Sequence, residues 1–320
     1  MAALSFNLNY KAISPWREMG AYEALWDTKA PTFEKLAKRF GAHPGSLPSD
    51  FVPDENICEI YAVRAIEILE AAGVSRLGIR LHGAGEYPKR LRDAYHPVEM
   101  LYFQGSWSLT ESRCISVVGT RKPSAKGALS ARKIATRLSQ DGFTIVSGLA
   151  EGIDTIAHGA AIAQGKPTIG VIGTPLSHSY PKKNAHLQRF IAKEHLLVSQ
   201  VPVCSYETMS FKMKPAFFPE RNITMAALTE ATVIIEASDT SGTLSQARAA
   251  LDQEGRKVFI LDSCFEVPGH RWPAMYEKRG AIRVRTYRDI IDNLGAVSPY
   301  SRETEGSRSV SQAGSFASAR

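Results

Sequence analysis

The chemistry this chain could carry is concentrated where glycine sits beside cations, hydroxyls or acids. Three such stretches are Gly119-Thr-Arg-Lys-Pro-Ser-Ala-Lys-Gly127, Ser147-Gly-Leu-Ala-Glu-Gly-Ile-Asp154 and Ser238-Asp-Thr-Ser-Gly-Thr-Leu244. Glycine lets backbone approach a ligand closely, and a free N–H at a helix start accepts an anion. Arg121, Lys122 and Lys126 add positive charge to the first stretch. Two more join cations to rings: Tyr180-Pro-Lys-Lys-Asn184, which follows Gly173, and Phe211-Lys-Met-Lys-Pro-Ala-Phe-Phe-Pro-Glu-Arg-Asn222. Rings can stack bases while the cations meet phosphates. A glycine-rich turn alone marks only the end of a strand; five such loops at one sheet edge point to a ligand site.

Other chemistries find little support. The eight histidines accompany no HExxH, and the four cysteines, Cys58, Cys114, Cys204 and Cys264, form no CxxC pair, so neither a metal site nor a disulfide framework is expected. No GxSxG, Walker GxxxxGK[ST] or GxGxxG occurs, which argues against a serine hydrolase, a P-loop ATPase and a nicotinamide enzyme; no cofactor is expected. Asp154 and His158 lie four apart on a presumed helix, a spacing that suits a brace as well as a catalytic pair. Asp154 is expected to cap or orient backbone, and Glu236 to bond a neighbouring loop.

The elements that must position these loops read as α/β. Between about 113 and 290, the apolar runs CISVVG, TIVSG, TIGVIG, HLLVS, TVIIEA and KVFIL are candidate strands, and the segments between them are long enough for crossover helices. In the first crossover, Ala131, Ile134, Ala135 and Leu138 share a face opposite Arg132, Lys133 and Arg137. This predicts a parallel sheet flanked by helices, with ligands beyond the carboxyl ends of its strands. Residues 1–75 read as a small helical domain, including a helix over 59–72 that carries Tyr61, Ile66, Ile68 and Leu69 and stops at Gly73. Residues 76–292 form the main domain, and the serine-rich 293–320 is expected to be a disordered tail. With 320 residues, 44% hydrophobic, the chain can bury a large core; a net charge of +7 favours an anionic partner without requiring one. The N-terminus lacks a signal-like apolar stretch, so a soluble, cytoplasmic protein with no membrane partner is expected.

At these loops the sequence resembles the DNA-processing protein A family, also called Smf. The likeness is carried by GTRKPSAKG (119–127), VSGLAEGIDTIAHGAAI (146–162), YPKKN (180–184), FPERN (218–222) and TVIIEASDTSGTLSQARAALDQEGRKVFIL (232–261), with LHGAGEYPKRLRDAYHPVEMLYFQGSWSL (81–109) as lead-in. The resemblance implies an extended Rossmann-like fold and a non-enzymatic protein that binds single-stranded DNA, forms a homodimer and loads RecA recombinase in recombination and competence. It places Arg121 and Arg221 in a basic DNA-binding pocket, with Gly119, Lys122, Phe218 and Asn222 from the same motifs. Lys182 and Lys183 would add phosphate contacts, and Gly148, Gly152, Ser241, Gly242 and Thr243 would form an anion-accepting backbone. The chain departs from the family after Asn222, where Ile223, Thr224 and Met225 stand in place of a second basic residue, and at Ser199-Gln-Val-Pro202, where an acid is usual. The rival reading within the wider superfamily is a LOG-like nucleotide phosphoribohydrolase, but Gly242-Thr-Leu-Ser-Gln246 puts an amide where that chemistry needs a carboxylate. A nucleotide-binding sensor using the same crevice is a further alternative.

Overall fold

The computed structural model describes residues 13–29, 31–94, 96–253 and 255–295. Four helices come first: α1 (Pro15–Trp26), α2 (Phe33–Gly41), α3 (Pro48–Phe51) and α4 (Glu55–Ala71). Ser14, Thr32 and Asp54 cap three of them through side-chain oxygens, supplying acceptors to otherwise unpaired N–H groups. α4 starts four residues before the expected helix; Cys58, Ala62, Ala65 and Leu69 are buried, Tyr61, Ile66 and Ile68 pack at the edge of the core, and Ile57, Ile60 and Val63 stay exposed. The small buried side chains mark a close crossing with α1. A Cβ on Gly20 would lie 1.8 Å from the Cys58 carbonyl oxygen, so only small side chains fit between the helices.

The remainder is one nine-stranded sheet. In chain order it comprises β1 (Gly78–Leu81), α5 (Lys89–Arg92), β2 (Met100–Gly105), β3 (Cys114–Val118), α6 (Ala125–Gln140), β4 (Thr144–Ser147), α7 (Ile153–Ala163), β5 (Thr168–Ile172), α8 (Ala185–Glu194) and β6 (Leu196–Ser199). There follow α9 (Val203–Thr208), α10 (Phe217–Leu228), β7 (Ala231–Ile234), α11 (Thr243–Leu251), β8 (Lys257–Leu261), α12 (Trp272–Lys278), β9 (Ile282–Val284) and α13 (Tyr287–Leu294). The spatial order is β1-β2-β6-β5-β4-β3-β7-β8-β9. All pairings from β6 to β9 are parallel, and β1 and β2 add an antiparallel edge. All six expected strands are present. Those between β3 and β7 are buried along their whole length, as expected of a sheet covered on both faces. The lead-in around 76–110, which was not read as strand, extends the same sheet.

The order reverses at β3. From it the chain winds outward through β4, β5 and β6, then returns by α10 to place β7 on its other side, with Val117 opposite Val233. A crevice must open where the loops leaving β3 and β7 diverge.

The helical segment and the sheet share one apolar core. Glu23 of α1 is fully buried between them and accepts hydrogen bonds from the Tyr102 hydroxyl of β2 and from the backbone N–H groups of Val203 and Cys204, each 2.8 Å. All four cysteines are buried and unpaired. Burial pushes the thiols of Cys114 and Cys264 up to about 11 and about 12, and raises that of Cys204, which nearby Glu23 raises further. No described helix is long and apolar enough to cross a membrane. The tail expected at the C-terminus falls, from residue 296, outside the described residues.

Candidate nucleic-acid interface

The crevice is present at the reversal beside β3. It is a cleft of about 370 Å³ lined on one side by Gly119, Arg121 and Lys122 and on the other by Ser241, Gly242 and Thr243, with Phe218, Arg221 and Asn222 from α10 across its floor. A smaller recess of about 70 Å³ opens beside it between Arg121, Gly148, Tyr180, Phe218 and Arg221. Two guanidiniums far apart in sequence therefore meet, but they differ in kind. Arg121 is exposed and makes no hydrogen bond or ion pair among the described residues. Arg221 is 7% exposed and held: Nη1 donates to the carbonyls of Gly148 and Val171, both at 2.6 Å, and Nε donates to Asn222 Oδ1 at 2.9 Å. Burial lowers the Arg221 pKa, the Arg121 charge lowers it further, and Asp154 opposes both. Asp154 lines the cleft and Glu151 the recess, so the two guanidiniums meet beside two carboxylates, one of which is committed to bracing backbone N–H groups.

The loop after β4 is built around that buried arginine. A Cβ on Gly148 would sit 2.2 Å from Arg221 Nη1, so glycine is needed for clearance. Its N–H does not serve as an anion acceptor as expected, because it donates to the Asp154 carboxylate at 3.1 Å; the Ala150 N–H does the same at 3.3 Å. Between them Leu149 takes the left-handed conformation, φ 59°, which a branched side chain rarely adopts. Asn184 secures this turn by donating Nδ2 to the Leu149 and Ala150 carbonyls. Gly152, at φ 78°, approaches the first loop so closely that a Cβ would meet the Thr120 carbonyl oxygen at 2.4 Å. Asp154 is thus a brace, its carboxyl raised by burial and lowered by Arg221. His158 is not its partner: the ring turns into the core, with Nδ1 2.7 Å from Thr168 Oγ1, and burial lowers its pKa to about 3.

The far wall is tied down similarly. Asn222 Nδ2 donates to the Gly242 carbonyl and Ser245 Oγ, so one side chain links Arg221 to the start of α11. The Thr243 hydroxyl donates to the Gly119 carbonyl across the cleft at 3.3 Å, and the Thr243 N–H donates to Ser241 Oγ. Glu236 accepts from the Ser124 N–H and hydroxyl, as expected of a loop anchor. Gln246 is buried and donates Nε2 to the Ser116 and Thr232 hydroxyls between β3 and β7.

The aromatic expectations are partly corrected. Of the adjacent pair, only Phe218 lies at the cleft; Phe217 is buried against Trp26, Phe33 and Tyr206, because successive positions on a helix point in different directions. Phe218 lies over Gly173, where a Cβ would be 2.6 Å from the ring, and its second neighbour is the half-exposed Tyr180 ring, 5.2 Å away. Tyr180 and Asn184 join the site although the sequence reading does not single them out; their signal is an aromatic and an amide flanking two lysines. Lys182 and Lys183 are exposed and line neither cavity, and Lys183 pairs with Glu151 at 3.5 Å. Among the described residues no cluster suited to a metal ion occurs.

Residues 78–295 match the model of the family described as DNA recombination-mediator protein A. The chain is similar to a Bacillus subtilis protein named DNA processing protein DprA, with 35% identity over 65% of this chain and 68% of the relative. It is likewise 35% identical to Protein Smf of Synechocystis over 66% of this chain, where it spans only 52% of the relative's length. Among solved structures it is similar to DNA processing protein A of Streptococcus pneumoniae, with TM-score 0.61 and 26% identity over 89% of this chain and 94% of that one. A Helicobacter pylori structure described in terms of its single-stranded DNA binding mode gives TM-score 0.58 and 25% identity, over 68% of this chain and 95% of that one.

Proposed function

Given that the chain belongs to the DNA recombination-mediator protein A family, we propose that it binds single-stranded DNA at the switch-point cleft and serves as a DNA-processing recombination mediator. The observation that carries this reading is the pairing of a free guanidinium, Arg121, with a fixed one, Arg221, beside the Tyr180 and Phe218 rings. A phosphate takes two N–H groups from an arginine, and an unpaired base can stack on a ring. Double-stranded DNA would not present its bases to these rings.

The role is read as binding without bond cleavage. A phosphoribohydrolase needs a carboxylate to stabilise developing positive charge, and at the corresponding place Gln246 offers an amide whose nitrogen is bound into the sheet. Hand-over of the strand to a RecA-type recombinase, a homodimer and a cytoplasmic setting extend the same proposal from the family resemblance.

Fluorescence anisotropy with a labelled oligothymidylate across salt concentrations tests it. Affinity should fall steeply with salt and weaken about tenfold or more in Arg121→Ala at unchanged melting temperature. Wild-type affinity in that variant would count against the cleft. Incubation with nucleoside monophosphates should release no free base.

A further inference from the structure

A groove of about 930 Å³ lies outside the cleft. It runs between α8 and the segment joining α4 to β1, and is lined by Arg76, Arg189 and Lys193 among others. Ser177 and Ser179 line it too, and the next two residues, Tyr180 and Pro181, line the recess beside Arg121. The groove and the recess are therefore joined by one continuous stretch of chain.

One face of α8 carries its charge. Arg189 and Lys193 line the groove about one turn apart and are exposed; His186 one turn earlier and Lys182 in the turn leading into the helix are exposed beyond its lining. Lys193 pairs with Glu194 at 3.0 Å, the one acid lining the groove. Lys182 and Arg189, with Arg76 on the opposite bank, make no hydrogen bond or ion pair among the described residues. Solvated cations without partners on the two banks of an elongated groove suit a ligand with repeating negative charge, rather than a single small anion.

We propose that this groove is a second DNA-binding segment, along which a single strand leaving the cleft past Tyr180 continues, its phosphates held by Lys182, Arg189 and Arg76. The proposal rests on the cleft reading and adds length dependence to it. A short oligonucleotide fills the cleft alone, whereas a longer one also occupies the track.

The test compares a hexanucleotide with an eighteen-nucleotide oligothymidylate on the full chain, in the parent, in Arg76→Ala/Arg189→Ala and in Arg121→Ala. Both track side chains are exposed and unpaired, so the double variant should melt like the parent. It is expected to bind the hexamer normally. The longer oligonucleotide should bind about tenfold more weakly, with the slope of log affinity against log salt reduced by about 1.4, or roughly 0.7 per lost phosphate contact. If the double variant binds both lengths as the parent does while Arg121→Ala cripples both, the track is wrong and the cleft stands. If Arg121→Ala binds both lengths like the parent, the cleft reading fails and the track falls with it.

Discussion

Arg121 and Arg221 show that residues of one type in one site can have opposite costs of removal. Arg121→Ala deletes a solvated charge and should spare the fold. Arg221→Ala strips hydrogen bonds from two buried carbonyls and leaves Asp154 without its nearest cation, which should cost about 3 kcal/mol of stability as well as binding. Urea denaturation of the two variants should separate them, and equal midpoints would contradict the assigned roles. Gly148→Ala should weaken DNA binding by displacing the Arg221 guanidinium, whereas Phe218→Ala should cost about 1–3 kcal/mol of binding through lost stacking. The sequence named both arginines and the FPERN aromatic, because their types and motif positions are readable directly. It could not say which arginine is buried, nor that Phe217 and Phe218 part company, since both depend on how α10 sits against α1 and α2.

At the scale of elements, six parallel strands were legible because each is a short run of apolar residues with both faces buried. β1, β2 and β9 were not. β1 is only half-buried over most of its length, β9 has three residues, and β2 is aromatic-rich and pairs antiparallel both with β1 and with β6, which is distant in sequence. The helix of α4 was legible from its apolar residues, of which Leu69 is buried and Tyr61, Ile66 and Ile68 pack against the core, whereas the alanines at its centre follow from the close approach at Gly20, which only the fold reveals. The seating of α7 gives a pH prediction. His158 is held neutral in the folded chain with a pKa of about 3, against 6.5 for the free side chain, so the unfolded state takes up a proton first as pH falls. Its contribution to stability is complete above about 6.5 and is lost progressively toward pH 3. Melting temperatures between pH 7.5 and 4.5 should fall, and His158→Asn should flatten that dependence; an unchanged slope would exclude His158 as its source.

For the whole molecule, the buried Glu23 carboxylate joins the first helix to both the antiparallel edge and α9. Glu23→Ala leaves the Tyr102 hydroxyl and two backbone N–H groups without their acceptor and should destabilise the chain by about 3 kcal/mol. In that variant the leading helices should detach before the sheet melts, so that far-ultraviolet and tryptophan signals no longer change together. The four sequestered thiols supply a native stopwatch for such events. Cys204 sits where α9 meets α4, donating toward the Tyr61 carbonyl, whereas Cys264 lies beneath β7 with its sulfur on the Ile235 carbonyl. An alkylating reagent can reach either one only during a transient excursion from the closed state, so the order in which the two become modified records which half of the molecule breathes first, with no label introduced.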